Sequence, residues 1–323
     1  MTSLVPEEAA AAEVPGSRPR RRPRSRSRAL AGAAPYWLIL PVAVVLAGIL
    51  GYPLYRLVVL SFQRYQLSEL IQREGAWIGL DNYASVLRDA VFWDTLLRTT
   101  LFTAATVGLT IVLGTLLALL LVRVSSPVRV LLSSGLVLAW AMPAVVAVQV
   151  WYWMTNFHNG VLNYVLSRVG LVDAQHDWYA GTFSKLAMVS LLIVWGAIPF
   201  VTITVYAALA QVPRELVEAA EIDGAGPLRV FRDVTFPVLK PILLILTSLS
   251  IIWDFGVFTQ PYLLIGASHL DASNYLMGVY VYIEGYAKSD FGRGAAISLL
   301  MLLLVAALSV PYVRRMVRAE GAP

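Results

Sequence analysis

Long apolar runs constrain the fold of this chain more than any other feature of its sequence. They cover approximately residues 36–62, 95–122, 128–154, 185–209, 241–265 and 294–313. Each is long enough for a helix to cross ~30 Å of hydrocarbon, which takes about 20 residues. Strands are excluded, because an open sheet edge facing lipid leaves backbone groups unpaired and because the runs lack barrel-like alternation. The sequence therefore predicts an all-α, multi-pass membrane protein with six transmembrane helices.

The composition agrees with a membrane location and narrows the chemistry. Of the 323 residues, 58% are hydrophobic and 14% are charged, whereas about a quarter are charged in an ordinary soluble domain. Cysteine is absent, which excludes disulfides and thiol-based sites. The three histidines are not at metal-ligand spacing. We therefore expect no metal site, no catalytic residues and no cofactor.

The N-terminal segment 1–35 has a different character from the rest of the chain. It contains seven of the arginines and three of the glutamates, and its Pro/Arg/Ser/Ala composition predicts a disordered basic tail. A basic tail beside a first membrane helix favours attraction to anionic lipid head groups over nucleic acid. The apolar run after it is too long for a secretory signal core and lacks a small-residue cleavage site, which indicates an uncleaved signal anchor.

The distribution of Lys and Arg predicts the orientation. With the N-terminus inside, the inner segments are 1–35, 122–129, 210–241 and 314–323, and they hold 16 of the 25 basic residues. Positive charge concentrates on the cytoplasmic side of a cell membrane. Both termini are then cytoplasmic, with a short C-terminal tail at 316–323, and the polar loop between the fourth and fifth spans is cytoplasmic too.

That polar loop, residues 211–241, predicts two short helices and a turn. Pro213 suits a first helical turn, since its missing N–H would be unpaired there. Good helix formers follow in "RELVEAAEI". Gly224 and Gly226 can adopt positive φ and end the helix, and Pro227 can begin the next one. Two interpretations remain open for this helix-turn-helix: an amphipathic connector on the membrane, or a surface where small side chains let another protein approach closely.

A longer pattern in the loop resembles a known signature. Glu218-Ala219-Ala220 is followed by Gly224 and, nine residues later, by "VTFP" ending at Pro237. This spacing is similar to the EAA motif of permease subunits of binding-protein-dependent ABC importers, whose usual ending is I-x-L-P. "WIGLDNYASVLRDAVFW" and "FGRGAAISLLM" resemble the carbohydrate-uptake, maltose-type branch of that family. The resemblance covers approximately residues 36–315, which we take as the transmembrane domain.

The resemblance implies a coupling role for the loop. In this family the EAA helix docks onto an ATPase subunit, so Glu218 and Asp223 would supply polar contacts. Ala219 and Ala220 would form the closely packed face, Gly224 the turn, and Pro237 the end of the motif. The chain itself has no G-x-x-x-x-G-K-[ST] sequence, so it cannot cradle ATP phosphates by that route.

The resemblance also implies a set of partners. They are a second homologous permease, a cytoplasmic ATPase dimer, an extracytoplasmic solute-binding protein, membrane lipid and a sugar substrate. An ion-coupled secondary transporter remains the alternative, with a carboxylate inside a span as its ion site. An integral membrane enzyme is a third class, which no cluster of catalytic residues supports.

Aromatic and polar residues in or near the spans are the candidates for the substrate path. Sugars stack their C–H faces on aromatic rings and bond amides and carboxylates through their hydroxyls. Asp254 is the sharpest candidate, because a carboxylate in the middle of an apolar run faces a cavity or a partner; cargo binding and a structural pairing are equally open for it. The full set is Gln149, Trp151, Trp153, Asn156, Trp195, Tyr206, Trp253, Asp254, Gln260 and Tyr262.

Overall fold

The computed structural model describes residues 39–266 and 269–320. The predicted basic tail, the first residues of the first apolar run and residues 321–323 lie outside the described residues. Within them, five helices are long and apolar enough to cross a membrane, and a bent pair brings the number to six if the pair forms one span. The prediction of a helical, multi-pass membrane protein is confirmed, and the count is five or six.

The elements follow one another as mostly long helices with short connections. The first half comprises α1 (Ile39–Ser61, with a π-helical stretch at Ala47–Gly51), β1 (Gln63–Arg64), α2 (Leu67–Gln72), β2 (Ala76–Trp77), α3 (Asp81–Leu87), α4 (Ala90–Arg123), α5 (Ser126–Trp140) and α6 (Ala144–Met154). The second half comprises α7 (Val161–Arg168), α8 (Thr182–Leu209), α9 (Arg214–Ile222), α10 (Pro227–Phe255), α11 (Thr259–Ile265), α12 (Met277–Tyr282) and α13 (Phe291–Glu320). The two strands pair antiparallel, with Gln63 opposite Trp77.

The third apolar run is not one straight helix. It is divided into α5 and α6, whose axes differ by 100°. Pro143 stands at the break with φ −58° and ψ 136°. Proline has no N–H to donate and disfavours helical backbone at the residue before it, so the chain turns here rather than continuing straight.

The fifth span lies further toward the N-terminus than the apolar run 241–265 predicts. Its helix, α10, begins at Pro227 and ends at Phe255. Pro237 and Pro241 lie within this helix, and a π-helical stretch at Phe231–Thr235 precedes both of them. The remainder of the run forms the separate helix α11.

Helices α4 and α8 pack side by side and run in the same direction. Thr106 and Ser190 are hydrogen-bonded through their hydroxyls at 2.9 Å. Eight residues further along α4, a Cβ on Gly114 would lie 2.6 Å from a methyl of Val201, eleven residues further along α8. Glycine therefore permits the close approach. Because both positions advance together along the two helices, α4 and α8 are parallel.

The parallel pair has two distinct ends. We call the end where α4 and α8 begin the hairpin end, after the β1–β2 hairpin that precedes α4, and the end where they finish the α9 end. At the hairpin end, the start of α8 contacts the 269–276 loop through Thr182 and Ser273, whose hydroxyls are 3.0 Å apart, and Arg98 of α4 donates to the carbonyl of Tyr275 in the same loop at 2.9 Å. At the α9 end, Arg129 donates to the carbonyl of Leu121 at 2.8 Å and lies over the ring of Tyr206. A buried apolar core lies toward each end.

Candidate functional site

The polar segment after α8 folds as a short helix with a tightly closed C-terminus. Pro213 lies immediately before α9 as its N-cap residue, one position earlier than expected. At the other end, Gly224 N–H donates to the Glu221 carbonyl at 3.0 Å and Ala225 N–H to the Ala220 carbonyl at 2.9 Å. This pair of bonds, with Gly224 at φ +80°, is a Schellman motif. The predicted role of Gly224 as a positive-φ turn residue is confirmed.

The second half of the predicted helix-turn-helix differs from expectation. Gly226 has φ −69° and caps the next helix, so only one of the two glycines takes the left-handed conformation. Pro227 does begin a helix, but that helix is the N-terminal end of α10 rather than a separate short element. Pro237 lies in the first turn after the π-helical stretch. The loop therefore contains one separate short helix, α9, instead of two.

The outer surface of this loop combines carboxylates with exposed apolar side chains. Glu218, Ala219 and Asp223 are exposed, and Ala220 is half-buried. Ile222 and Leu228 are 86% and 80% exposed. Large apolar side chains this exposed among carboxylates are typical of a surface that another protein covers.

A cavity of about 370 Å³ lies between the bend of α5 and α6, the middle of α8 and the junction of α10 with α11. Five of the seventeen residues that line it are aromatic. The Phe200 ring stacks on Trp140 with centroids 6.1 Å apart and contacts Trp253 at 5.7 Å. Stacked rings of this kind offer flat apolar faces to a bound molecule.

Asp254 is the charged residue among those that line the cavity. It is 7% exposed, and none of the side chains in the described ranges donates a hydrogen bond to its carboxylate. It is not in the middle of a span, as its place in the apolar run predicts, but next to last in α10. A carboxylate there faces the negative end of the helix dipole, so burial and position both oppose its charge in the absence of a ligand.

Four of the ten residues predicted for the substrate path line this cavity: Trp195, Trp253, Asp254 and Gln260. They come from α8, the end of α10 and the start of α11. Trp151 packs behind the wall, with its ring 6.3 Å from that of Trp195. The tertiary structure therefore gathers half of the predicted set around one space.

The other five predicted residues lie elsewhere. Gln149 and Trp153 are on an exposed face of α6. The side chain of Asn156 accepts from the backbone N–H of His158 and Asn159 at 3.0 and 3.1 Å, which is a turn-forming role. Tyr206 lies under Arg129 at the α9 end. Tyr262 stacks on Phe258, behind the cavity, with centroids 4.9 Å apart. None of these lines the cavity.

Sequence reasoning missed Trp140 and Phe200, although both line the cavity. Each lies inside a long apolar run with no polar neighbour to mark it. Their roles depend on which helix face turns inward. The only available signal was the break at Pro143, three residues after Trp140.

Sequence reasoning also missed a charged cluster at the hairpin end. Arg293, in the first turn of α13, contacts Asp89 at 2.5 Å and Glu284 at 3.0 Å. Lys288 pairs with the second oxygen of Glu284 at 2.7 Å. The hydroxyl of Tyr280 donates to Asp89 at 3.1 Å, and burial raises the pKa of Tyr280 to about 12. The cluster ties the starts of α4 and α13 to the segment after α12.

Comparison with known proteins identifies a matching family profile and similar sequences. A family profile described as "Binding-protein-dependent transport system inner membrane component" matches residues 110–318. The diacetylchitobiose uptake system permease protein DasB of Streptomyces coelicolor is 43% identical over 299 residues, 92% of this chain and 91% of that protein. The trehalose/maltose transport system permease protein MalF of Thermococcus litoralis is 30% identical over 280 residues, 86% and 92% of the two chains.

A solved structure shares the fold. It is the bacterial alginate ABC transporter in complex with an alginate pentasaccharide-bound periplasmic protein. One of its chains superimposes with a TM-score of 0.77 at 17% identity, covering 92% of this chain and 98% of that one. At this level of identity the match establishes the helical architecture and nothing about cargo.

Proposed function

The chain belongs to the family of binding-protein-dependent transport system inner membrane components, and we propose that it carries an oligosaccharide across the cell membrane as one of the two permeases of an ABC importer. It is a transporter subunit and not an enzyme. A partner ATPase hydrolyses ATP, and an extracytoplasmic binding protein delivers the cargo.

The cavity at the bend carries this proposal. Its stacked rings of Trp140, Phe200 and Trp253 offer apolar faces for sugar C–H surfaces, and the lining also includes Asp254 and Gln260. A buried carboxylate without a donor from the described side chains has unused acceptor capacity, which sugar hydroxyls can satisfy. Two relatives are named for diacetylchitobiose and for trehalose or maltose. Both the chemistry of the cavity lining and the similarity to these relatives therefore favour an oligosaccharide as the cargo.

The parallel packing of α4 and α8 supports six membrane crossings. Since both helices run from the hairpin end to the α9 end, the chain between them must return across the membrane once. The bent pair α5 and α6 is the apolar segment available in that interval. The bend itself forms one wall of the cavity, so the break in the third span also shapes the cargo space.

The α9 end faces the cytoplasm in this proposal. This orientation places 16 of the 25 Lys and Arg residues inside, in segments 1–35, 122–129, 210–241 and 314–323, as the excess of cytoplasmic positive charge requires. The hairpin end then faces the binding protein, and both termini are cytoplasmic.

Helix α9 is the element through which the ATPase acts. Exposed Ile222 and Leu228 supply apolar area, and exposed Glu218 and Asp223 supply charge. Ala219 and Ala220 let the partner backbone approach closely. Because α9 is joined to α10 by only four residues, and Asp254 lies at the far end of α10, a displacement of the docked helix is transmitted toward the cavity. ATP and loaded binding protein both favour one access state, which shifts the population of conformations.

Uptake into right-side-out membrane vesicles tests the function. We expect sugar uptake that requires ATP on the cytoplasmic side and loaded binding protein on the other. Uptake that continues without ATP when a proton or sodium gradient is present would establish the ion-coupled alternative instead. The experiment is run with the assembled transporter, and a transporter lacking the ATPase is the control.

A further inference from the structure

Helix α7 has its polarity partly reversed relative to a helix on a water-facing surface. Its polar residue Asn163 is 1% exposed, whereas Val161 and Val165 are 50% and 53% exposed. Tyr164, between them on the same outer face, is 59% exposed. An amphipathic surface helix normally turns its apolar stripe inward. Here a polar group is buried beside the half-buried Leu162 and Leu166, and an apolar stripe is exposed.

The inner face is fixed by hydrogen bonds, so the helix cannot roll to hide its apolar stripe. The amide of Asn163 donates to the His176 carbonyl at 2.9 Å, and the Trp178 indole donates to Asn163 Oδ1 at 2.6 Å. The neighbouring hydroxyls of Thr155 and Tyr179 are 2.7 Å apart. Breaking this network would leave buried polar groups unpaired, and the reversed orientation is therefore the stable one.

The apolar surface extends beyond the helix on both sides along the chain. Val169 and Leu171 follow α7 and are 65% and 71% exposed. Trp153, at the end of the membrane-associated helix α6, is 65% exposed. Only seven residues, 154–160, separate Trp153 from Val161. An isolated apolar side chain in water would be ordinary, but a series of exposed apolar side chains that follows an exposed Trp153 is typical of a lipid boundary.

One charged residue on the outer face also fits a lipid boundary. The Arg168 guanidinium lies 5.1 Å from the centre of the Tyr164 ring and donates to its hydroxyl at 3.3 Å. A paired aromatic and arginine place an apolar body in hydrocarbon and a charged tip among head groups. Anionic lipid phosphates complement that charge.

From these contacts we propose that the outer face of α7 lies in the membrane interface at the hairpin end, with Val161 and Val165 in the acyl boundary and Arg168 among the head groups. The loop between α6 and α8 is thereby anchored on one side by lipid and on the other by Asn163. The partner is the bilayer itself, and the inference does not depend on the cargo.

The absence of cysteine from the chain allows a clean test. Val165→Cys and Val161→Cys each provide one labelling site on the outer face, and Glu74→Cys provides an exposed polar control at the same end. Each variant is labelled with an environment-sensitive fluorophore in the assembled transporter. The transporter is then reconstituted in phosphatidylcholine and phosphatidylglycerol vesicles carrying a nitroxide either near the head group or deep in the acyl chain.

We expect blue-shifted emission at both valine sites and stronger quenching by the shallow nitroxide than by the deep one, with little of either at the Glu74 site. Emission and quenching equal to those of the control would show that water covers the face. Blue-shifted emission that neither nitroxide quenches would show that the sister permease or another protein covers it. Either result overturns the proposal.

Discussion

Arg293 holds Asp89 across 204 residues of sequence, with Nη2 and Oδ2 2.5 Å apart. Asp89 is also the N-cap of α4, where it accepts from the Val91 N–H at 2.9 Å. The contact therefore fixes the starts of two spans, α4 and α13, to each other. Glu284 also contacts the guanidinium, at 3.0 Å, so Arg293 pairs with two carboxylates.

Arg293→Ala is expected to destabilise the protein, because it leaves both carboxylates in a half-buried site with Lys288 as their remaining cation. Removing one partner of a fully buried pair costs about 3–5 kcal/mol, and partial exposure reduces the expected loss to about 2–3 kcal/mol. Arg232→Ala removes the exposed pair with Asp233 and is the matched control. Thermal unfolding in detergent should show a much lower Tm for Arg293→Ala alone; equal Tm values would contradict the clamp.

Gly292→Ala is expected to strain the junction between α13 and the β1 region. A Cβ on Gly292 would overlap the Gln63 carbonyl oxygen, a backbone atom that cannot swing away. Overpacking of this kind costs about 1–3 kcal/mol. Gly108→Ala is the control, because a Cβ there meets nothing within 4 Å and should be neutral or stabilising. Denaturant unfolding of the two variants measures the difference, and unaltered stability of Gly292→Ala would refute the close approach.

Gly224→Val should weaken ATPase docking while leaving the protein inserted in the membrane. The residue has φ +80°, a conformation that β-branched side chains resist, so the C-terminal turn of α9 would open. Gly226→Val is the matched control, since that glycine has φ −69°. Co-purification of the ATPase is the measurement. Equal recovery with both variants would remove the turn from the interface.

Glu218→Lys should abolish uptake by reversing the charge at the proposed dock. The side chain is exposed, so the change should leave folding intact and act on the partner. Glu74→Lys reverses an exposed charge at the opposite end and should not alter ATPase recovery. Sugar uptake and ATPase co-purification are measured together. Wild-type values for Glu218→Lys would exclude that residue from the contact.

Asp254→Leu should raise stability and abolish uptake. The variant removes a carboxylate that is 7% exposed and has no donor among the described side chains, and buried charges of this kind are often replaced by apolar groups with a gain in stability. Loss of hydrogen bonds to a charged group costs a ligand about 1.5–3 kcal/mol, which weakens sugar binding roughly 10–100-fold. Calorimetric titration of the assembled transporter with sugar, beside Tm, gives both readouts, and the exposed Trp153→Ala should change neither. A lower Tm with normal uptake would assign Asp254 a structural role instead.

Much of the architecture follows from local sequence because hydropathy and helix termini are local properties. The apolar runs identify the spanning segments. The stretch "EAAEIDGAG" contains the residue that ends its helix, Gly224, since only glycine takes positive φ without strain. The family resemblance, carried by that same stretch and its spacing to Pro237, is confirmed. The orientation of the termini stays a prediction.

The tertiary structure decided what depends on distant backbones approaching one another. The sequence could not place Trp140 of α5 against Phe200 of α8, because the faces that two long apolar helices turn toward each other are decided by interhelical packing. It also could not reveal that Arg293 joins Asp89 and Glu284, since ion pairs across 204 residues leave no local pattern. It placed Asp254 in mid-span, whereas the chain breaks at Gly256, where α12 packs against the end of α10. Hydropathy thus determined which segments enter the membrane, and interhelical packing determined which of their side chains share a cavity.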